Sequence, residues 1–463
     1  MININNTAFL RILNILTALI CIFLVSSCSV ILPEMNKARS SERTPKKVSH
    51  ERSPELALFM TFSGGGTRSA ALSYGVLKQL RDTTVIINHK KRRLLDEIDL
   101  ISSVSGGSFT SAYFGLFGDQ IFQDFETKFL KRQVQTELVR LSLLSPKAWI
   151  RLAPSLFERS DLAADYYSRH IFKKKRFSDL REDAPLIIIN ATDLSLGQGF
   201  AFTGFHFSWI CSDLNSYPIS RAVAASAAVP IVFSPITLRN HAENCQYSPI
   251  VWGVQNKQQQ SKTNHKQKRY LDVLKVQTYR DNKQLKYLHL VDGGVADNLG
   301  IRSILDAITF HNDDMWSTMK TYGMKQTKKM VFMSVNAASF LNTNLAKKIR
   351  APSTVDIIDT TTTIQSNKYN NETIDLLTSK FPLWKKQVKQ GRCQEKPSHD
   401  CGDIEFELIE INLEDLSDSE IQDLGIVPTT LELPNKTVDQ LISAGEKLTI
   451  RSKKFQNLLK DLK

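Results

Sequence analysis

The segment from Asp99 to Thr110 constrains the fold of this chain more than any other part of the sequence. It begins as an apolar strand, reaches Ser105, and continues through Gly106 and Gly107 into a helical pattern. Small residues around a serine permit a sharp strand-to-helix turn in which the serine oxygen projects away from the backbone. We therefore predict that Ser105 lies in a tight turn at the end of a buried strand.

The same alternation of strand and helix recurs along the chain. Short, continuous apolar runs are typical of strands buried on both faces of a parallel sheet. Predicted strands occupy Leu56–Phe62, Pro185–Asn190, Tyr287–Val291 and Met330–Val335, with helices over Thr67–Leu80 and Leu299–Phe310. The pattern predicts an α/β fold with a central, mainly parallel sheet between two layers of helices.

The alternation stops beyond about Ala351. A Thr-rich helix over Thr354–Ser379, an alternating strand over Ile404–Leu413 and an amphipathic helical pair near Val438–Leu462 follow. We predict that this part is a C-terminal α+β extension packed on the core.

Composition and charge limit the class of protein. The 463 residues are 42% hydrophobic and 23% charged, which is typical of a globular protein. The net charge of +13 would suit a nucleic-acid partner, but no zinc-ligand spacing, aromatic–basic RNA signature or heptad-linked basic region is present. We therefore expect no nucleic-acid partner and attribute the charge to a surface that faces anionic lipid.

The N-terminus indicates export. Leu10–Val25 is strongly apolar but shorter than the roughly 20 residues of a membrane span, so it predicts a signal peptide. An uncleaved anchor is the alternative. Leu24–Cys28 resembles the lipobox of bacterial lipoproteins, in which the cysteine is lipidated, and Ser29 suits sorting to the outer membrane. The polar composition after Leu32 predicts a solvated tether.

Besides Cys28, four cysteines follow the signal segment, and an exported protein meets an oxidising compartment. Three pairings are possible, and four free thiols are the alternative. We favour the two pairings that close modest loops: Cys211 with Cys245, and Cys393 with Cys401.

A glycine turn, Gly64-Gly65-Gly66, joins the first strand to the first helix. N–H groups at a helix N-terminus lack acceptors and favour an anion. Ser69 breaks the dinucleotide pattern, and no Gly-Lys-Ser/Thr follows for a phosphate loop. A transient oxyanion of acyl transfer is the remaining candidate. Arg68 either adds positive charge beside this oxyanion or forms a structural salt bridge.

The serine turn departs from the pattern G-x-S-x-G in one position, where Ser103 replaces the first glycine. The general base is not a recognisable histidine, because only His311 and His399 follow Asp292 and neither lies in a motif. Asp292 ends an apolar strand, where active-site residues cluster in open parallel sheets. It either caps the helix near Asn298 or accepts the proton of the serine.

Three segments in this order resemble the signatures of the patatin-like phospholipase family: Gly64–Arg68, Ser103–Gly107 and Asp292–Gly294. Two more blocks resemble the same family: Asn190–Asp193 and Ser220–Pro230. The resemblance covers residues 56 to 337. It implies hydrolysis of acyl esters in lipids by a Ser-Asp dyad, with a glycine-rich oxyanion hole and without metal or cofactor.

Carried to this chain, the resemblance makes Ser105 the nucleophile and Asp292 the base. The expected oxyanion loop consists of Gly64, Gly65, Gly66 and, at its edge, Arg68. Membrane phospholipid is the expected substrate, because a lipidated Cys28 would hold the enzyme at the membrane. The alternatives are an esterase for other acyl esters, and a non-catalytic lipid-binding lipoprotein on the same fold.

These inferences divide the chain into four parts. We predict a signal peptide (1–27), a lipidated tether (28–54), a catalytic domain (55–345) with a basic insertion near 255–286, and the C-terminal extension (346–463).

Overall fold

A computed structural model gives the fold of the chain. It describes residues 33–39, 52–144, 157–230, 232–245, 276–280, 285–338, 349, 351, 354–395, 401–424 and 427–462. The predicted signal peptide, the lipidation site Cys28 and most of the basic insertion lie outside these residues.

One large sheet organises the described part of the chain. The strands are β1 Leu56–Phe62, β2 Thr84–Ile87, β3 Lys90–Arg93, β4 Ile98–Val104, β5 Leu186–Asp193, β6 Gln198–Ala201, β7 Ile236–Arg239, β8 Tyr287–Asp292, β9 Lys329–Asn336 and β10 Glu405–Asn412. The large sheet has the order β10-β9-β1-β4-β5-β8-β7, with β6 beside β5, while β2 and β3 form a separate hairpin. From β10 to β5 the pairs are parallel, and β6, β7 and β8 join in antiparallel pairs.

Helices cover both faces of this sheet. They are α1 Gly66–Asp82, α2 Gly106–Phe117, α3 Ile121–Phe125, α4 Val134–Leu144, α5 Arg159–His170, α6 Gly204–Trp209, α7 Ile219–Ser226, α8 Arg302–Phe310, α9 Met315–Tyr322, α10 Thr354–Glu395, α11 Asp418–Leu424, α12 Asn435–Arg451 and α13 Lys453–Asp461. The predicted α/β fold with a mainly parallel sheet is confirmed.

Strand β1 shows why the sheet is buried on both faces. All seven of its residues are buried between β4 and β9. Leu56, Leu58 and Met60 belong to the larger apolar core, whereas Ala57 and Phe59 belong to the smaller core. Since successive side chains of a strand point to opposite faces, the two cores lie on opposite sides of the sheet.

The C-terminal extension continues the sheet. Strand β10 pairs in parallel with all eight residues of β9, so it forms the edge of the sheet. Helix α12 packs on α1 where Gly75 meets Gly445, and a Cβ on Gly445 would overlap the Leu72 carbonyl oxygen. The boundary that we predicted near residue 346 therefore does not separate two sheets or two cores.

Residues 33–39 differ from the solvated tether that their composition predicts. The side chain of Asn36 is buried, and its Nδ2 donates to Ser212 Oγ at 2.7 Å and to the Arg239 carbonyl at 2.8 Å. Glu34 lies 2.8 Å from Arg176. These polar contacts with the folded core hold this short segment against it.

Residues 276–280, at the end of the predicted basic insertion, also pack on the core. Tyr279 is buried, and its hydroxyl donates to Asp193 Oδ2 at 2.9 Å. This aromatic anchor explains why the end of the insertion is not a surface loop.

The described residues contain two disulfides. Cys211 and Cys245 are joined with 5.6 Å between their Cα atoms, and Cys393 and Cys401 with 4.9 Å. Both are the pairings that loop length favours.

Candidate active site

Ser105 occupies the turn between β4 and α2. Its φ is 49° and its ψ is −120°, a conformation that non-glycine residues rarely adopt, and it is 4% exposed. A Cβ on Gly106 would overlap the Gly66 carbonyl oxygen, and one on Gly107 would lie 2.8 Å from the Ser63 carbonyl oxygen. Glycines therefore allow the serine turn to approach the glycine turn closely.

Ser226, at the end of α7, forms a hydrogen bond with the backbone of the serine turn. Its Oγ accepts the Ser105 N–H at 2.8 Å and donates to the Asn190 carbonyl at 2.6 Å. The Asn190 amide donates to the Ser103 carbonyl at 3.0 Å. Sequence reasoning assigned no role to Ser226 or Asn190, although both lie in blocks that resemble the family, which was the available signal.

Asp292 lies at the end of β8, beside Ser105. Its N–H donates to the Ala228 carbonyl at 3.0 Å, and its Oδ1 accepts the Gly294 N–H at 2.7 Å. The side chain therefore caps the short turn Gly293–Val295. The start of α8 is capped by Asp297 instead, whose Oδ2 accepts the Arg302 N–H at 2.7 Å.

The second oxygen of Asp292 is free for chemistry. Oδ2 is buried and has no hydrogen bond of standard geometry to any described residue. Burial raises the pKa of Asp292 to about 6, while hydrogen bonding from the Gly294 N–H and the Ser105 hydroxyl acts in the opposite direction. The carboxylate thus combines proximity to the serine with a pKa near neutrality.

The glycine turn lies on the other side of Ser105. Gly65 and Gly66 have φ of 135° and 59°, and no described residue accepts their N–H groups. Both groups lie at the N-terminus of the 17-residue helix α1, where the helix dipole favours negative charge. The turn therefore leaves two backbone donors without described partners near Ser105, whose Cβ lies 3.4 Å from the position of a Cβ on Gly64.

Gly64 does not match its expected role as a third donor. Its N–H donates to the Asn298 carbonyl at 3.0 Å. Gly64 packs so closely against Asn298 that a Cβ at position 64 would overlap Asn298 Oδ1. This close packing brings the Gly64 N–H to the Asn298 carbonyl. Asn298, which sequence reasoning did not select as a site residue, fixes the glycine turn to the loop after Asp292.

Arg68 is buried and binds backbone. Its Nε donates to the Ala337 carbonyl at 2.8 Å, Nη1 donates to the Val427 carbonyl, and Nη2 reaches Thr429 Oγ1 at 3.4 Å. The Thr67 N–H donates to the Thr430 carbonyl at 2.8 Å. Residues from the C-terminal extension therefore support the glycine turn, and no sequence pattern indicated this contact.

The remaining candidates lie elsewhere. His311 donates from Nδ1 to the Ala307 carbonyl at 2.7 Å, and burial lowers its pKa. His399 lies outside the described residues. Within the part of the chain that the structure describes, no group of three His, Cys, Asp or Glu side chains is arranged to hold a metal ion.

A family model described as patatin-like phospholipase matches residues 60–305. The chain belongs to the patatin-like phospholipase family. The matched range includes the serine turn, the glycine turn and Asp292, and it ends within α8.

Solved structures also resemble this patatin-like protein. Human GIVD cytosolic phospholipase A2 matches with a TM-score of 0.41 and 13% identity over 88% of this chain and 62% of that chain. VipD from Legionella pneumophila matches with a TM-score of 0.33 and 12% identity over 92% of this chain and 72% of that chain. The chain thus spans 62% of the length of the human phospholipase chain. A search of curated protein sequences found no match.

Proposed function

We propose that this patatin-like protein hydrolyses fatty acyl esters of phospholipids, with Ser105 as the nucleophile and Asp292 as the general base. The observation that carries the proposal is the buried Asp292 carboxylate, with a pKa of about 6, beside a serine in a strained turn. A carboxylate with this pKa is largely ionised at neutral pH and retains enough basicity to accept a proton.

The first half-reaction forms an acyl-enzyme. Asp292 Oδ2 takes the hydroxyl proton as Ser105 Oγ attacks the ester carbonyl carbon, and the carbonyl oxygen becomes an oxyanion. The N–H groups of Gly65 and Gly66 stabilise this oxyanion. The tetrahedral intermediate collapses, the ester C–O bond breaks, and protonated Asp292 returns the proton to the departing lysolipid alkoxide.

The second half-reaction regenerates the enzyme. Asp292 accepts a proton from a water molecule as this water attacks the acyl-enzyme carbonyl carbon. Collapse of the second tetrahedral intermediate releases the fatty acid, and the proton on Asp292 returns to Ser105 Oγ. The cycle consumes one water per ester and uses no metal or organic cofactor.

We also propose that the mature protein is a lipoprotein of a bacterial outer membrane, anchored through Cys28. The lipobox-like segment Leu24–Cys28 and the apolar run before it support this proposal. In the described residues, no helix is both long and apolar enough to cross a bilayer. Metabolic labelling with radioactive palmitate is expected to mark the wild type but not Cys28→Ser, and equal labelling of both contradicts the anchor.

Variants of the two reactive residues test the catalytic proposal. Purified Ser105→Ala and Asp292→Asn are expected to lose at least about 10³-fold in kcat on defined phospholipids, with released fatty acid and lysolipid resolved by mass spectrometry. Ser111→Ala is the matched control, because it removes the hydroxyl of another buried serine. This hydroxyl contacts Ser103 Oγ at 2.6 Å. We expect this variant to keep activity within a few fold of the wild type.

Covalent labelling separates chemistry from substrate choice. A fluorophosphonate is expected to modify Ser105, and a folded wild type that stays unmodified and inactive would mean that the scaffold is not catalytic. Labelling without release of fatty acid from phospholipid would instead indicate an esterase for other acyl esters.

A further inference from the structure

A cavity of about 430 Å³ lies beneath α8, and neither Ser105 nor Asp292 lines it. It follows the first half of β5, between this strand and helices α6 and α8. This volume is within the range of ligand pockets, roughly 300–1,000 Å³. The proposed hydrolysis assigns no role to this cavity.

The walls of the cavity are apolar and incompletely covered. Leu180, Leu186, Phe205 and Phe310 line it and are only half-buried. Large apolar side chains that remain partly open to solvent gain free energy when an apolar ligand covers them.

The interior carries no fixed charge. Among the described residues that line the cavity, Glu182 is the one with an ionised side chain, and it is exposed at the rim. Burial lowers the pKa of His206 to about 3, and burial also lowers that of His311, so both imidazoles are neutral. A ligand with charge along its length would find no counter-charge inside.

A second, narrow cavity continues from the first. It has a volume of about 70 Å³ and shares Leu186, Ile188 and Ala307 with the larger cavity. Three methionines also line it, Met315, Met324 and Met330, and methionine side chains adapt readily to a flexible guest. The buried side chains of Arg52 and Asp99 line it as well, so this branch is polar on one part of its wall. Its volume corresponds to about two groups of the size of a water molecule, so it admits no more than the end of an alkyl chain.

The cavity is separate from the catalytic serine. Ile188 is paired with Ser102, and Ser105 lies three residues further along the chain, about 10 Å away at 3.3 Å per strand residue. A polar layer lies between them, in which Ser102 Oγ contacts Ser303 Oγ at 3.1 Å and accepts from Asn190 Nδ2 at 2.9 Å.

We propose that the cavity beneath α8 is a second, non-catalytic site that binds a lipid with one long alkyl chain. A group of the size of a water molecule occupies about 30 Å³, so the larger cavity holds on the order of fourteen such groups. An alkyl chain of about fourteen carbons matches this number. The alkyl chain lies along the apolar walls, and the polar head stays at the rim near Ser178 and Asn215. A fatty acid and a lysophospholipid share this chemistry.

The test measures binding without hydrolysis. Full-length Ser105→Ala protein is titrated with palmitate and, separately, with 1-palmitoyl lysophosphatidylcholine, each below its critical micelle concentration, by calorimetry. We expect saturable binding in the cavity in addition to any binding at the catalytic site, and the cavity substitutions distinguish the two. The two titrations identify which headgroup the rim accepts, and absence of saturable binding by either lipid overturns the proposal.

Substitutions within the cavity locate the site. Ala307→Phe in the Ser105→Ala background fills the region shared by both cavities and is expected to weaken binding at least tenfold. Asp306→Phe is the control, because it adds the same ring at the adjacent position of α8, outside both linings. Phe310→Ala enlarges the cavity and is expected to shift the preference toward longer chains, a gain that a misfolded protein would not show.

Two results would contradict the proposal. One is an Ala307→Phe variant with an unchanged melting temperature that binds both lipids as tightly as its parent. The other is loss of lipid binding in wild-type protein whose Ser105 has been capped with an alkyl phosphonate, because this would place the lipid in the catalytic site. The first measurement is independent of whether the protein hydrolyses phospholipids, and the second requires only that Ser105 reacts with the phosphonate.

Discussion

At the scale of single residues, the candidate site combines two features that folding alone does not favour. Ser105 adopts a positive φ, which costs on the order of 1–3 kcal/mol for a non-glycine residue. Asp292 is buried, and its Oδ2 has no hydrogen bond of standard geometry to any described residue. Ser226 stabilises the strained turn by accepting the Ser105 N–H. Functional residues typically have an unfavourable local conformation whose free-energy cost is offset by neighbouring interactions, such as this hydrogen bond.

The raised pKa of Asp292 predicts the pH dependence of the reaction. Protonated Asp292 cannot accept the Ser105 proton, so activity is present above a pH of about 6 and is lost as the pH falls through this value. We expect kcat/KM to fall about tenfold per pH unit below this point. A stopped assay with a soluble acyl ester between pH 4.5 and 8 measures it, and a flat profile would exclude Asp292 as the base.

At the scale of elements, the crossing of α1 and α12 connects the C-terminal extension to the site. Helix α1 begins at the glycine turn, and Gly75 lies in its middle against the backbone of Ile442. Because Gly75 and Gly445 have no side chains, the backbones of the two helices approach so closely that a Cβ on either glycine would overlap a carbonyl oxygen of the other helix. The position of α1, and with it that of the proposed oxyanion donors, therefore depends on a helix that begins at residue 435.

Gly445→Ala is expected to lower the free energy of unfolding by about 1–3 kcal/mol, because the added methyl group overlaps the Leu72 carbonyl. Urea denaturation followed by circular dichroism measures the change. Gly204→Ala serves as the control, since a Cβ there meets no atom within 4 Å, and its effect should stay within about 0.5 kcal/mol. Equal effects of both substitutions would mean that the crossing is loosely packed.

At the scale of the whole molecule, the proposed catalytic residues depend on contacts between parts that are distant in sequence. Arg68 joins the glycine turn to the end of β9 and to Val427. Strand β10 completes the sheet edge beside β9. The folded unit therefore extends well beyond the residues 60–305 that the family model matches.

The two disulfides should contribute unequally to global stability. A cross-link restricts the unfolded chain more when it closes a longer loop, and the sequence separations are 34 for Cys211–Cys245 and 8 for Cys393–Cys401. Double Cys→Ser substitution is expected to cost about 4 kcal/mol for the first bridge and about 2.5 kcal/mol for the second. Thermal unfolding of both variants measures the difference, and the opposite order would contradict the loop-length argument.

The sequence by itself determined the central elements of this protein. The apolar run over Leu56–Phe62 predicted β1 with both ends correct, and the helix predicted over Thr67–Leu80 is α1. The turn at Ser105 and the strand that ends at Asp292 followed in the same way. These features were predictable because periodicity, small residues and glycines act on neighbouring residues along the chain.

Only the tertiary structure decided which groups meet in space. The Gly64 N–H is used by Asn298, the serine turn depends on Ser226, and Arg68 binds residues beyond 330. The C-terminal strand proved to be the edge of the main sheet. No local pattern encodes these contacts, since each joins residues more than seventy positions apart whose proximity depends on how sheet and helices pack.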